Sequence, residues 1–171
     1  MKKFRRLAAL LVAGVMALMM FAGCSGSGVN TAVENELLKQ LNTAMRTEFK
    51  NDPALHAIAM QQLGKIDQES GLIRSDDAMY YGPSIENGKV EGIAVYVVVR
   101  EKLDDTEKYC TAVEITPEMQ KNLTLKDVLG ADANDLEEIG TEGISAITFA
   151  ARTINGRTYV AFGVRGEMDA S

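Results

Sequence analysis

The chain has 171 residues and a formal charge of −6, with 18 Lys and Arg set against 24 Asp and Glu. Nucleic-acid phosphates call for concentrated basic surface, and an acidic excess of this size excludes that partner class. One histidine, two cysteines and no tryptophan remove the zinc sets built from Cys and His, and no glycine-rich phosphate loop is present.

Lys2, Lys3, Arg5 and Arg6 precede an unbroken apolar run from Leu7 to Ala22, with Gly23 before Cys24. A positive start, an apolar middle and small residues at a cut site have the layout of a secretory signal. The run has 16 residues, short of the roughly 20 that a spanning helix needs. Nothing polar interrupts it to make the amphipathic face of a core helix. Phe21-Ala22-Gly23-Cys24 resembles the lipobox of a bacterial lipoprotein. That resemblance implies removal of residues 1–23 and attachment of lipid, palmitate included, at Cys24 as the mature N-terminus. Ser25-Gly26-Ser27-Gly28 has the composition of a flexible tether. The division expected is a signal peptide at 1–23, a lipidated cysteine and tether at 24–29, and one domain at 30–171. The signal holds four of the cationic residues and no carboxylate, so residues 24–171 carry 14 Lys and Arg against 24 Asp and Glu, a formal charge of −10. Cys110 then has no intramolecular disulfide partner, and the domain relies on its hydrophobic core.

Thr31-Ala32-Val33-Glu34 has capping-box spacing, and Val33, Leu37, Leu38, Leu41, Met45 and Phe49 recur on one face of a first helix. Asn51-Asp52-Pro53 stops it and opens a second, with Asp52 as N-cap. Leu55, Ile58, Ala59, Leu63 and Ile66 form its stripe, and Ser70-Gly71 is its expected end. After the polar stretch at Ser75-Asp76-Asp77 the period changes. Asn87-Gly88 predicts a hairpin turn, and Ile93 to Val99, apolar on both faces, predicts a strand inside a sheet. A charged turn at Lys102 to Lys108 leads to Tyr109–Ile115. Short helical pieces follow at Thr116-Pro117 and at Leu123–Gly130, the second closed by its glycine. Residues 131–143 read as an acidic loop. Ile144 to Ile154, Asn155-Gly156 and Arg157 to Arg165 predict a C-terminal β-hairpin. The order of elements gives one α+β domain, with two N-terminal helices packed on an antiparallel sheet. The expected core includes Leu37, Leu41, Ile58, Val97, Val113, Phe149 and Tyr159.

Glu36-Leu37-Leu38-Lys39-Gln40-Leu41-Asn42 with Arg46, then Asp52-Pro53-Ala54-Leu55 and Ala57 to Leu63, resemble the opening of a CAP-superfamily (cysteine-rich secretory protein-like) domain. The closing hairpin at Ile147 to Gly166 is similar to that family's end. The resemblance implies an α-β-α sandwich. It carries over no catalytic or metal residue, because the family's cleft holds two histidines and two acidic residues and this chain has no histidine after His56. Ile85-Glu86-Asn87 lacks the glycine before Glu of the family's Gly-Glu-Asn-Ile element and reads as the lead-in to a turn.

Candidate chemistry is thin. A Cys110–His56 dyad would pair a thiol with a base, but Cys110 falls in a predicted strand, where a free cysteine is usually a small buried hydrophobe. Asp132, Asn134, Asp135, Glu137 and Glu138 are oxygen donors of the type calcium takes, without EF-hand spacing, and read as a solvated loop. Asp76-Asp77 and Asp104-Asp105 are sequence neighbours whose carboxylates tend to point apart, unlike a glycosidase pair. Tyr80-Tyr81 would present aromatic surface near a turn, but Gly82-Pro83 beside them read as a loop before a sugar site. The expectation is therefore a membrane-anchored cell-envelope lipoprotein with a non-catalytic binding or scaffolding domain. Cys24 is its lipid-attachment residue; no catalytic residue, metal ligand or cofactor is expected, and its partners are the membrane through the anchor and a protein or envelope polymer. The competing expectation is an envelope hydrolase whose polar residues assemble from distant segments.

Overall fold

The computed structural model describes residues 28–86, 89–102, 108–130, 135 and 141–167. Cys24, Asn87-Gly88, Asp104-Asp105 and all of the acidic cluster except Asp135 lie outside the described residues. A two-residue strand β1 (Gly28–Val29) precedes α1 (Thr31–Met45) and α2 (Pro53–Leu63). Asn30, not Thr31, caps α1, its Oδ1 accepting from Val33 N at 3.3 Å. The expected capping box does not form. Asn30 N donates to Ala151 O at 2.8 Å, which ties the helix start to the sheet one residue earlier and leaves Glu34 on the buried face.

α1 stops at Met45, before Phe49, with Arg46 in the left-handed region at φ 54°. Asn42 turns the chain back. Its Oδ1 accepts from Thr47 Oγ1 and Phe49 N, and its Nδ2 donates to Phe49 O, all at 2.8 Å. Asp52 caps α2 as expected, Oδ1 accepting from Ala54 N at 3.0 Å and Leu55 N at 2.9 Å. α2 ends at Leu63 rather than at Ser70-Gly71, and Ile66 is buried in the turn that follows.

The main sheet joins β1, β8 (Ile144–Ile154), β9 (Arg157–Glu167), β4 (Lys89–Val97) and β3 (Met79–Glu86) in that order, antiparallel throughout. A smaller sheet has the order β2 (Leu72–Arg74), β6 (Tyr109–Ala112), β5 (Val99–Lys102). The strand expected over Ile93–Val99 is split at Val98. Val98 N donates to Val160 O at 2.9 Å and its carbonyl accepts from Val113 N at 2.8 Å, so the chain leaves the main sheet there. β7 (Glu114–Ile115) then takes up the vacated place beside β9. Tyr80-Tyr81-Gly82-Pro83, expected as a loop, lies inside β3. β3 is an edge strand, where proline's missing donor is tolerated.

The helices straddle the sheet. Leu55, Ala59 and Leu63 of α2 pack on one face against Ile93, Val95, Val97, Tyr159 and Ala161. Val33, Leu37 and Leu41 of α1 pack on the other against Ile147, Phe149, Ala151 and Val160. Leu125 and Val128 of α4 (Leu125–Leu129) join this second cluster, just after α3 (Pro117–Lys121). The protein is thus α+β, two N-terminal helices on an antiparallel sheet closed by a C-terminal hairpin. Of the expected core, Leu37, Leu41, Val97, Val113, Phe149 and Tyr159 are buried, while Ile58 is partly buried at its margin.

Ile154 and Arg157 face each other across Asn155 (φ 49°) and Gly156 (φ 79°), the two-residue turn that needs positive φ at both places. Gly156→Val puts a β-branched residue into that region. It is expected to destabilise the domain by about 1 kcal/mol or more, read as a lower urea midpoint with an unchanged slope.

Candidate functional site

The α1–α2 connection crosses the outer edge of β8 and consumes its hydrogen-bonding groups. Asp52 N donates to Ile147 O at 3.0 Å, Phe149 N to Asn51 Oδ1 at 2.8 Å, and Ala151 N to Glu34 Oε1 at 2.9 Å. His56 Nε2, on α2, lies 2.9 Å from the same Glu34 oxygen, around the edge from α1. The side chains of His56 and Glu34 are 25% and 5% exposed. This explains an inward-facing glutamate: its charge meets a backbone donor and an imidazole, and it seals a strand edge.

Cys110 is buried, with Sγ 3.4 Å from Ser75 Oγ. The two residues of the discounted dyad therefore have separate partners. Asp76 and Asp77 do point apart. Asp77 pairs with Lys65 at 2.9 Å, and Asp76 stands exposed 3.8 Å from Arg74. Among the described residues no three His, Cys, Asp or Glu side chains are grouped to hold a metal ion. None of the described helices is long and apolar enough to cross a membrane.

A charged cluster that the sequence did not single out sits where α2 begins. Arg165 of β9 is buried, with Nη2 2.9 Å from Asp52 Oδ2 and Nε 3.5 Å from Glu91 Oε2. Ser145 is the extra residue of a β-bulge between Ile144 and Ala146, and the bulge re-aims it. Its Oγ donates to Glu91 Oε2 at 3.1 Å, with Arg165 O at 3.3 Å as the alternative acceptor. Two carboxylates, a guanidinium and a hydroxyl thus converge, but on one another. Such a set locks α2 to the sheet.

The opposite face of the same strands carries an open groove of about 750 Å³, a size common for ligand sites. Gly92 and Ala94 of β4 and Val164 of β9 form its floor, Tyr81 and Pro83 one wall, and Glu142 to Ile144 the other. The second wall lies close because Gly166 has no side chain. A Cβ there would sit 2.5 Å from Gly143 O, and Glu167 N donates to that same oxygen at 2.9 Å. Tyr81, read from the sequence as part of a loop, stands edge-on to Tyr96 with ring centroids 5.8 Å apart and hydroxyls 2.9 Å apart.

Burial, then the hydrogen bond to Tyr81, pushes the Tyr96 phenol from 10.0 up to about 12. The neutral form is the one favoured in the folded state. The stabilisation is therefore complete below pH 10 and is lost as pH rises through about 12. Ultraviolet titration is expected to show one tyrosine still protonated at about pH 11. Tyr81→Phe is expected to lower that transition without returning it fully to the ordinary range, because burial remains.

No family model, no curated protein and no solved structure matches this chain.

Proposed function

We propose that the chain is a bacterial envelope lipoprotein, anchored through lipid on Cys24 at the extracytoplasmic face of the membrane, whose domain binds a partner rather than catalysing a reaction. The observation that carries the location is the order Lys2 to Arg6, Leu7 to Ala22, then Ala22-Gly23-Cys24. Gly28 and Val29, the last two residues of the expected tether, form β1 and pair with Thr153 and Arg152 of β8, so the described fold takes up the chain within a few residues of Cys24. A domain with a buried free thiol, held together by packing rather than by disulfide, is compatible with that location. An open groove with an aromatic wall supports binding. The convergent polar groups, by contrast, are spent on internal ion pairs. For the fold we propose a relation to the CAP superfamily. The three layers and the closing hairpin favour it, with the family's cleft histidines absent.

Cys24→Ala is expected to abolish incorporation of a palmitate analogue and to leave the protein unprocessed or released from the membrane fraction. Undiminished labelling of that variant would refute the anchor. One acyl chain holds a protein only marginally, so firm anchoring presumes the two or more chains typical of such proteins.

A further inference from the structure

An antiparallel sheet with one wet face alternates apolar and polar residues, yet β3 and β4 are apolar on the face turned away from α2. Its cross-strand pairs are Met79–Tyr96, Tyr81–Ala94, Pro83–Gly92 and Ile85–Val90, without one charged side chain. α1 covers this side of the sheet at β8 and leaves β3 and β4 open, so Tyr81, Ile85 and Val90 are 64%, 78% and 59% exposed. Contiguous apolar surface of this kind marks an interaction site. The groove described above is its inner end. The ionisable residues lining that groove, besides Tyr81, are Glu142 and Glu167, and no Lys, Arg or His is among its described lining residues. A domain of formal charge −10 repels a second copy of itself at such a face and attracts a cation. Pro83 in the edge strand disfavours addition of another strand, which leaves the sheet face rather than its edge as the contact.

We propose that this face docks a cationic, apolar peptide segment. It would lie extended over Gly92 and Ala94, with apolar side chains against Tyr81 and Ile144 and a Lys or Arg near Glu142. The inference rests on the binding reading above and names its partner class. In that reading the anchor joins at β1, at the opposite edge of the sheet from β3, so the open face at β3 lies three strands away from the tether's attachment at β8.

The test is selection of a random heptapeptide phage library on the full-length protein held in lipid nanodiscs. Recovered peptides are then synthesised with a fluorophore and titrated by anisotropy. Enriched sequences are expected to combine Lys or Arg with aromatic or aliphatic residues and to bind more weakly as salt rises. Tyr81→Ala and Glu142→Lys, both at exposed positions, are each expected to weaken binding about 10-fold, roughly 1.4 kcal/mol, with the native circular dichroism spectrum and a cooperative melt retained. Enrichment of acidic peptides, or wild-type affinity in both variants, would overturn the proposal, as would a wild-type dimer that Tyr81→Ala dissolves. A peptide whose affinity survives both variants would leave a binding role standing and remove this face from it. Absence of any enriched peptide, with Cys24 still labelled by palmitate, would overturn the docking surface and leave the anchor intact.

Discussion

Arg165→Met is expected to destabilise the domain by about 3–5 kcal/mol, the usual cost of removing one partner from a buried charge cluster. The side chains of Arg165, Asp52 and Glu91 are 8%, 18% and 11% exposed, so water replaces little of what the guanidinium supplies. Methionine keeps most of the apolar stem, so the loss isolates charge from packing. The two carboxylates left behind repel each other at the start of α2. Asp52 also caps that helix through Oδ1, while Oδ2 faces Arg165. Asp52→Asn keeps the cap but removes the charge. Adding Asp52→Asn and Glu91→Gln to Arg165→Met is therefore expected to recover a substantial part of the loss in chemical denaturation. A triple variant no more stable than Arg165→Met alone would show that the cluster acts through packing.

Asp52-Pro53 and Asn155-Gly156 were legible in the sequence because each works over two to four residues. A proline fits a first helical turn and an Asn-Gly pair fits positive φ wherever they occur. The apolar run around Val95 was equally legible as an interior strand, since β4 does lie between β3 and β9. Glu34 was not. Its spacing from Thr31 satisfied a local rule, but a contact 117 residues away, Ala151 N, claimed the carboxylate. The same holds for Val98, where partners at Val160 and Val113 end a strand that propensity alone would continue.

The site was less visible than the fold, for a related reason. Tyr81, Gly82 and Pro83 contain two residues that punctuate loops, and only the edge position of β3 makes them compatible with a strand. Gly92 and Gly166 come to face each other through the β4–β9 register, which no local window contains. Arg165 and Glu91 lie in strands whose remaining residues are chiefly apolar. Both occupy places in the strand alternation that point to the α2 side, with Ile93 and Val95 or with Tyr159 and Ala161, and that is the signal that could have found them, since an inward-facing charge needs a partner. The apolar pattern on both faces of β4 was read as a strand inside a sheet, which it is, but that reading did not show that one face stays open at β3 and β4.

Phe149→Ala is the second large effect, expected at about 3–5 kcal/mol as for other fully buried aromatic truncations. Phe149 has no exposed surface. It stands on β8 in the same buried cluster as Leu37 and Leu41 of α1 and Val128 of α4. It also faces Phe162 across the hairpin, with centroids 5.0 Å apart and planes inclined at 46°. Phe162 in turn pairs with Tyr96, the half-buried partner of Tyr81 at the groove. The cavity left by alanine thus opens on the row Phe149, Phe162, Tyr96. Phe149→Leu keeps much of the volume and is expected to cost roughly half as much or less. The groove supplies the second readout. If Phe162 relaxes into the cavity, Tyr96 becomes better hydrated and its ionisation moves down from about 12 in the alanine variant, while the leucine variant holds it near that value. Equal stability losses for alanine and leucine, with Tyr96 unmoved in both, would show that the two aromatic rings are not coupled and that the groove wall stands independently of the core.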